Sequence, residues 1–362
     1  MSNASEFTKV LYPPFEESFD KSIRKWQGCP TIAITKGGRI YAGWYTGGSR
    51  EPHIDNYNLL KYSDDYGKTW SEPIFVIPGS HEHLVQALDI QLWCAPDGRL
   101  FVFWVQNNLE EAGIGKVGFY SDGYMFLDKT HAQWMMVCDN PDSVNPAFSE
   151  PRCIDKGFLR CKPLCTKSGR WILFNYSQDS NNYEYSVSDD KGETFTRLKG
   201  AEKIPTPFDE SMAYQLKDGS IRMFARTYTG ELAESTSFDD GETWTPSISS
   251  GIASPNTRFF VATLPSGSVL LINNDHKIQR TNMTVYLSED DGKTWKYKRL
   301  LDSSPNTSYP DVDFYNGRIY LIYDKERLPN GKILFTSFTE DDIKNPDYEF
   351  EINCISRVER NI

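Results

Sequence analysis

Arginines, carboxylates and one tyrosine stand at corresponding places along this chain, each at the edge of a short apolar run. Glu210 and Arg226 flank a predicted strand–turn–strand in "ESMAYQLKDGSIRMFAR". Asp89 opens the run 88–93, Arg258 precedes 259–264, and Arg280 precedes the strand in "QRTNMTVYLS". Tyr309-Pro310-Asp311 leads into 312–314, and Lys162 and Asp209 occupy similar entries. Arginine forks match carboxylates in shape and charge. A carboxylate beside a tyrosine hydroxyl can take its proton and turn it into a nucleophile. Brought together, these side chains would hold an anionic ligand over an activated tyrosine. The structural alternative uses the same residues as ion pairs that tie neighbouring elements.

Bringing them together requires a repeated element, and the chain carries one. The pattern Ser-x-Asp-x-Gly-x-Thr-aromatic occurs at 63–70, 188–195, 237–244 and 288–295. One copy would be a hairpin turn, with Asp accepting local backbone bonds and Gly supplying a positive φ. Four copies mean a repeated supersecondary unit, and the last three begin 49 and 51 residues apart. Each box closes a stretch that reads as short strands separated by Gly turns, such as 31–34, Lys36-Gly37-Gly38 and 39–44. Similar starts fall at 88, 164, 212, 259 and 312; the second unit keeps only a decayed box around 145–151. One short helix is predicted at 339–345, opened by Thr339 with acids at 340–342.

Six four-stranded sheets cannot each bury two faces alone, but stacked radially they can. The fold predicted is therefore all-β, a six-bladed β-propeller forming a single domain over residues 1–362. Residues 1–25 are expected to wrap its outer edge, and 346–362 to pair with the first or last blade. In such a fold the boxes sit on outer turns and are structural. The strand entries named above converge on one axial pocket.

The chain has 362 residues, a formal net charge of −11 and no apolar run long enough to span a membrane. The charge balance disfavours a nucleic-acid partner and offers no basic footprint for an anionic membrane surface. The N-terminal MSNASEFTKV lacks the apolar core of a secretory signal. The expectation is a cytoplasmic protein as encoded here, or a secreted one whose leader has been removed. Seven scattered cysteines, an odd number, read as buried thiols, and Cys161 and Cys165 have no second pair or His cluster to complete a zinc site. His81 and His83 read as a rim loop.

On these boxes and strand entries the chain resembles the sialidase (neuraminidase) superfamily of Asp-box, six-bladed propellers, from about Trp26 to Asp342. The resemblance implies that Tyr309, in "SYPDVDFYNGRIYLIYD", is the nucleophile and Glu210 its base. It implies that Arg226 and Arg280 bind a substrate carboxylate, that Asp324 supports the arginines, and that Asp89 is an active-site aspartate. Two places depart from the family pattern. Gly28-Cys29-Pro30 stands where an Arg-Ile-Pro motif supplies the first of three arginines, and Tyr45 stands where the acid/base aspartate is expected. Arg258 or Arg50 could replace the arginine; Asp89, or an acid in the loop holding Glu51, His53 and Asp55, could replace the aspartate. The activity implied is release of a terminal acidic sugar from a glycan, with no metal or organic cofactor. A uronate lyase, a deoxy-sugar glycosidase and a non-catalytic sugar-binding propeller stay open as alternatives.

Overall fold

The computed structural model describes residues 4–111, 119–121, 123–127, 131–206, 208–327 and 330–358. Six four-stranded antiparallel units follow one another along the chain, the blades of the predicted β-propeller. In the first, Trp26–Ile34, Ile40–Gly47, Tyr57–Ser63 and Phe75–Pro78 pair in chain order. The fourth is Met212–Gln215, Ile221–Ala225, Glu231–Ser237 and Ile248–Ala253, and the sixth begins with Thr307–Tyr315 and Arg318–Lys325. The second unit carries an extra hairpin, Phe119–Ser121 with Tyr124–Phe126, on the end of Leu100–Glu111.

The inner strands are covered on both faces, which is why they read as unbroken apolar runs; every residue of Trp26–Ile34 is buried. Fourth strands such as Thr196–Glu202 are half-buried or exposed throughout. The chain groups into two compact units, residues 1–159 with 326–333 and 354–362, and residues 160–325 with 334–353. Each has an apolar core of its own, with Tyr41, Leu60, Phe75, Leu92 and Trp104 in the first and Tyr214, Phe224, Phe260, Leu271 and Tyr323 in the second.

The boxes are structural, as predicted. In the first, Asp65 accepts from the Thr69 amide at 2.9 Å and the Thr69 hydroxyl at 2.6 Å, while Ser63 donates to Asp65 and accepts from the Gly67 amide. The Thr69 hydroxyl and amide, then the Ser63 hydroxyl, hold the Asp65 carboxyl down at about 2. The pattern repeats at Asp190, Asp239 and Asp290. Just ahead of the decayed second box, Asp142 accepts instead from the Thr35 hydroxyl and the Gly37 amide.

Leu11 bridges Val76 on the outer strand of the first blade, so the N-terminal stretch lies on the predicted edge. Asn353–Arg357 joins the last blade, and 359–362 lie outside the described residues. Helix Glu340–Lys344 begins at Thr339, whose hydroxyl accepts from the Asp342 amide while Asp342 accepts from the Thr339 amide. The reading of all cysteines as buried needs correction. Cys29, Cys138 and Cys161 are buried; Cys94, Cys153 and Cys165 are half-buried at strand ends, and Cys354 is exposed on an outer strand. No helix among the described residues is long and apolar enough to cross a membrane.

Candidate active site

The first strands of three blades share a bulge. Pairing slips between Gly28 and Thr31, between Leu88 and Gln91, and between Ser308 and Asp311. Inside each slip a residue is held in the left-handed region: Cys29 at φ 54°, Asp89 at 51° and Tyr309 at 55°. Glu210, just before its strand, lies at φ 38°. Non-glycine residues pay roughly 1–3 kcal/mol for this conformation, and bulges re-aim a side chain out of the strand's alternation. The repeat therefore presents one side chain per bulge, and the residue type decides what it presents.

In the compact unit of residues 160–325 and 334–353 the presented groups of two blades meet. The Tyr309 hydroxyl donates to Glu210 Oε1 at 2.6 Å and accepts from Arg226 Nη1 at 3.2 Å. Arg226 Nη1 also donates to Glu210 Oε2 at 2.8 Å. Hairpin register explains the Glu210–Arg226 pair: Met212 faces Phe224, and two residues further on the Arg226 amide donates to the Asp209 carbonyl at 2.8 Å. Arg226 Nε donates to Asn256 Oδ1 at 2.6 Å, and Arg280 Nη2 donates to the Asn256 carbonyl at 3.0 Å, so one asparagine sets two guanidinium planes. The guanidinium carbons of Arg258, Arg160 and Arg280 lie 4.9, 5.1 and 5.6 Å from the centre of the Tyr309 ring.

Burial opposes ionisation of Glu210, but Arg226 and Arg160, with the Tyr309 hydroxyl, outweigh it and bring the carboxyl down to about 2. Its neighbour Asp209 goes the other way. Burial pushes it up to about 7 against the pull of Lys203, 3.0 Å away. Four guanidinium groups thus surround one tyrosine and one ionised carboxylate, which makes the site a receptor for negative charge.

The other predicted residues have other surroundings. Arg258 donates to the carbonyls of Arg160 at 2.7 Å, Tyr309 at 3.0 Å and Pro310 at 3.4 Å, a strut under the tyrosine's backbone. Asp324 is fully buried opposite Ser308, whose hydroxyl donates to it at 2.5 Å. Lys162 lies 3.5 Å from Asp311, an ion pair inside the unit. Arg160 and Asn256 escaped the sequence reading. Each stands two residues ahead of one that was singled out, Lys162 and Arg258, so the signal was a polar strand entry read too narrowly.

Asp89 and Arg50 belong to the first unit. The sulfur of Cys29 and carboxylate oxygens of Glu51 and Asp89 lie within 4.8 Å of one another, the one grouping among the described residues with spacing for a metal ion. Cys29 Sγ donates to Glu51 Oε1 at 3.7 Å, and Arg327 already pairs with Glu51 at 2.8 Å. Arg50 is exposed in the loop, its carbonyl accepting from the Asn56 amide group at 2.8 Å. Tyr45 is wholly buried, packed edge-on against Trp26 and hydrogen-bonded by Gln86. Burial holds its hydroxyl well above the usual tyrosine range.

The chain matches the BNR repeat-like domain over residues 38–321. It is 30% identical over 337 residues to Sialidase B of Streptococcus pneumoniae, covering 82% of this chain and 45% of that protein. It is 24% identical over 221 residues to the anhydrosialidase of Macrobdella decora, covering 55% of this chain and 29% of that protein. The chain thus spans less than half the length of these curated relatives. Among solved structures, the intramolecular trans-sialidase from Ruminococcus gnavus superposes with a TM-score of 0.69 at 16% identity, covering 94% of this chain and 99% of that one. The NanB sialidase from Streptococcus pneumoniae gives 0.67 at 18% identity, covering 97% of this chain and 71% of that one. At such identities the likeness speaks for the fold, a six-bladed β-propeller. With the repeat match running through most of its length, the chain belongs to the BNR repeat-like domain family, as a sialidase-like propeller.

Proposed function

We propose that this protein is a glycoside hydrolase that releases a terminal acidic sugar, sialic acid or a close relative, from a glycan. The observation that carries the reading is the 2.6 Å hydrogen bond from Tyr309 to Glu210 among four arginines. The Tyr309 oxygen attacks the anomeric carbon and its proton passes to Glu210 Oε1; the bond to the leaving oxygen breaks, and that oxygen takes a proton from an acid. Water then attacks the anomeric carbon and gives its proton to the carboxylate that the acid has become; the bond to Tyr309 breaks, and the proton on Glu210 returns to the Tyr309 oxygen. A neutral tyrosine approaches the carbon beside a carboxylate without the repulsion an aspartate would meet.

Arg226 and Arg280, aligned through Asn256, hold the sugar carboxylate, with Arg160 as the third fork; Arg258 is occupied by backbone carbonyls. A bound carboxylate competes for the charges that hold Glu210 down, so the base strengthens when substrate arrives. The proposed proton donor is Asp89, or an acid of the 51–55 loop. A donor variant should lose activity on natural glycosides and keep it on a nitrophenyl glycoside, whose leaving group needs no proton.

The test is aryl-group release from an α-linked aryl sialoside by the wild type, Tyr309→Phe and Glu210→Ala. Turnover that vanishes in Tyr309→Phe supports the proposal; turnover that survives it refutes the tyrosine nucleophile. Gly28 and buried Tyr45, at places where the family pattern has an arginine and an aspartate, favour a second reading: the same chemistry on another acidic sugar, such as a uronate. Release from an aryl glucuronide with none from the sialoside would select it. A new ultraviolet absorbance on a uronate polymer would select a lyase instead.

A further inference from the structure

The first unit encloses a cavity of about 800 Å³ that the chemistry above does not use. Its walls are the short turns Glu17–Phe19 and Lys21–Ile23, the loop after Gly47, and the stretch from Pro78 to His81. Arg24, only 8% exposed, lines one side. Its Nε donates to the Tyr57 hydroxyl at 2.9 Å and its Nη2 to the Phe19 carbonyl at 3.3 Å, both uncharged acceptors. Lys25 lines the cavity beside it, and among the described residues neither cation forms an ion pair. The exposed Asp20 carboxylate acts on Arg24 without forming a direct ion pair, so an anionic ligand would give this nine-tenths buried guanidinium the contact partner it has not got among the described residues.

Another part of the lining is of a different kind. His81 and Asp55 pair at 2.7 Å, and the other His81 nitrogen meets the Tyr124 hydroxyl at 3.0 Å. This pair offers hydrogen bonds. The lining also has apolar faces, the Phe19 and Tyr57 rings packed edge-on at 5.0 Å. The loop is shaped around this space: a Cβ on Gly48 would sit 2.2 Å from the His53 ring, so only glycine lets the loop fold back there. Apolar faces for C–H groups, hydrogen-bonding groups and two cations without direct ion pairs match the needs of an acidic sugar, and the volume is that of an ordinary ligand site.

We propose that this cavity is a second carbohydrate site, which takes an acidic oligosaccharide with its carboxylate on Arg24 and Lys25 and its hydroxyls toward His81 and Asp55. The test uses the full chain carrying Arg280→Ala, which weakens the Tyr309 site. The probes are 3′-sialyllactose, lactose and sodium sulfate, followed by saturation-transfer NMR and calorimetric titration. The result expected is about one equivalent of 3′-sialyllactose bound, with lactose roughly tenfold weaker or more. Added to this background, Lys25→Glu should weaken binding by about fivefold or more, and Ile23→Trp should block it by filling the mouth. Both side chains are exposed, so neither change touches a buried bond.

The proposal falls if 3′-sialyllactose does not bind at millimolar concentration, or if binding is unchanged in both variants. It also falls if sulfate binds as tightly as the sugar, which would make the cavity a plain anion site. Because the readout is binding, it stands apart from whether the wild type cleaves a sialoside.

Discussion

Replacing Glu210 by glutamine keeps the shape of the site and removes its charge, and the consequences can be worked out for stability and activity together. Burial would raise the carboxyl, but the arginines bring it from 4.5 to about 2. A folded-state value below the unfolded one means stability that is fully present above about 4.5 and is lost as pH falls toward 2. The difference of 2.5 units is worth about 3 kcal/mol at neutral pH, and about 1 kcal/mol remains at pH 3. Glu210→Gln has no such dependence. The stability gap between wild type and variant, measured by urea unfolding at pH 7, 5, 4 and 3, should therefore shrink by about 2 kcal/mol over that range. Because protonated Glu210 and glutamine both leave Arg226 without an anionic partner, the gap should approach zero as pH nears 2. Turnover should fall by about 10²–10⁴, the usual contribution of a general base. A gap that stays constant from pH 7 to 3 would show that Glu210 is not held ionised by the arginines. Turnover within a factor of about three of wild type would remove it from the proton path.

Arg258 and Arg280 separate positioning from binding. Arg258→Met should lower kcat by roughly tenfold or more, because Tyr309 loses the strut under its carbonyl, while affinity for a carboxylate inhibitor barely moves; Arg280→Met should weaken that inhibitor by about tenfold or more, and equal effects of the two on the inhibitor would contradict these roles. Gly241 lies at φ +87°, and a Cβ there would come within 2.7 Å of the Ile172 side chain. Gly241→Ala should therefore cost about 2–3 kcal/mol in urea unfolding, against about 1 kcal/mol for Gly219→Ala, where φ is +95° and the space is open; equal costs would show that the contact with Ile172 is absent.

What the amino-acid sequence determined by itself is the local part of this protein. Box residues bond to partners four positions away, so Ser-x-Asp-x-Gly-x-Thr specifies its own turn wherever it occurs. Strand–turn–strand pairs follow from Gly turns between apolar runs, and their register already sets Glu210 against Arg226 and Ser308 against Asp324. Six such units with two apolar faces each leave little choice but to stack.

Tertiary structure decided which polar entry meets which. Arg258 and Tyr309 are 51 residues apart and belong to successive blades; whether that arginine holds a ligand or a carbonyl depends on how the blades pack. For the same reason Arg160 and Asn256 were missed and Lys162 was read as an axial charge, when its neighbour Asp311 lies on another blade. Tyr45 looks like a missing acid in sequence and is a buried ring in the fold. Periodicity reports which face of a strand is apolar. The partner of a buried charge is chosen by desolvation, since a group that loses water must take the nearest complementary group the packing offers.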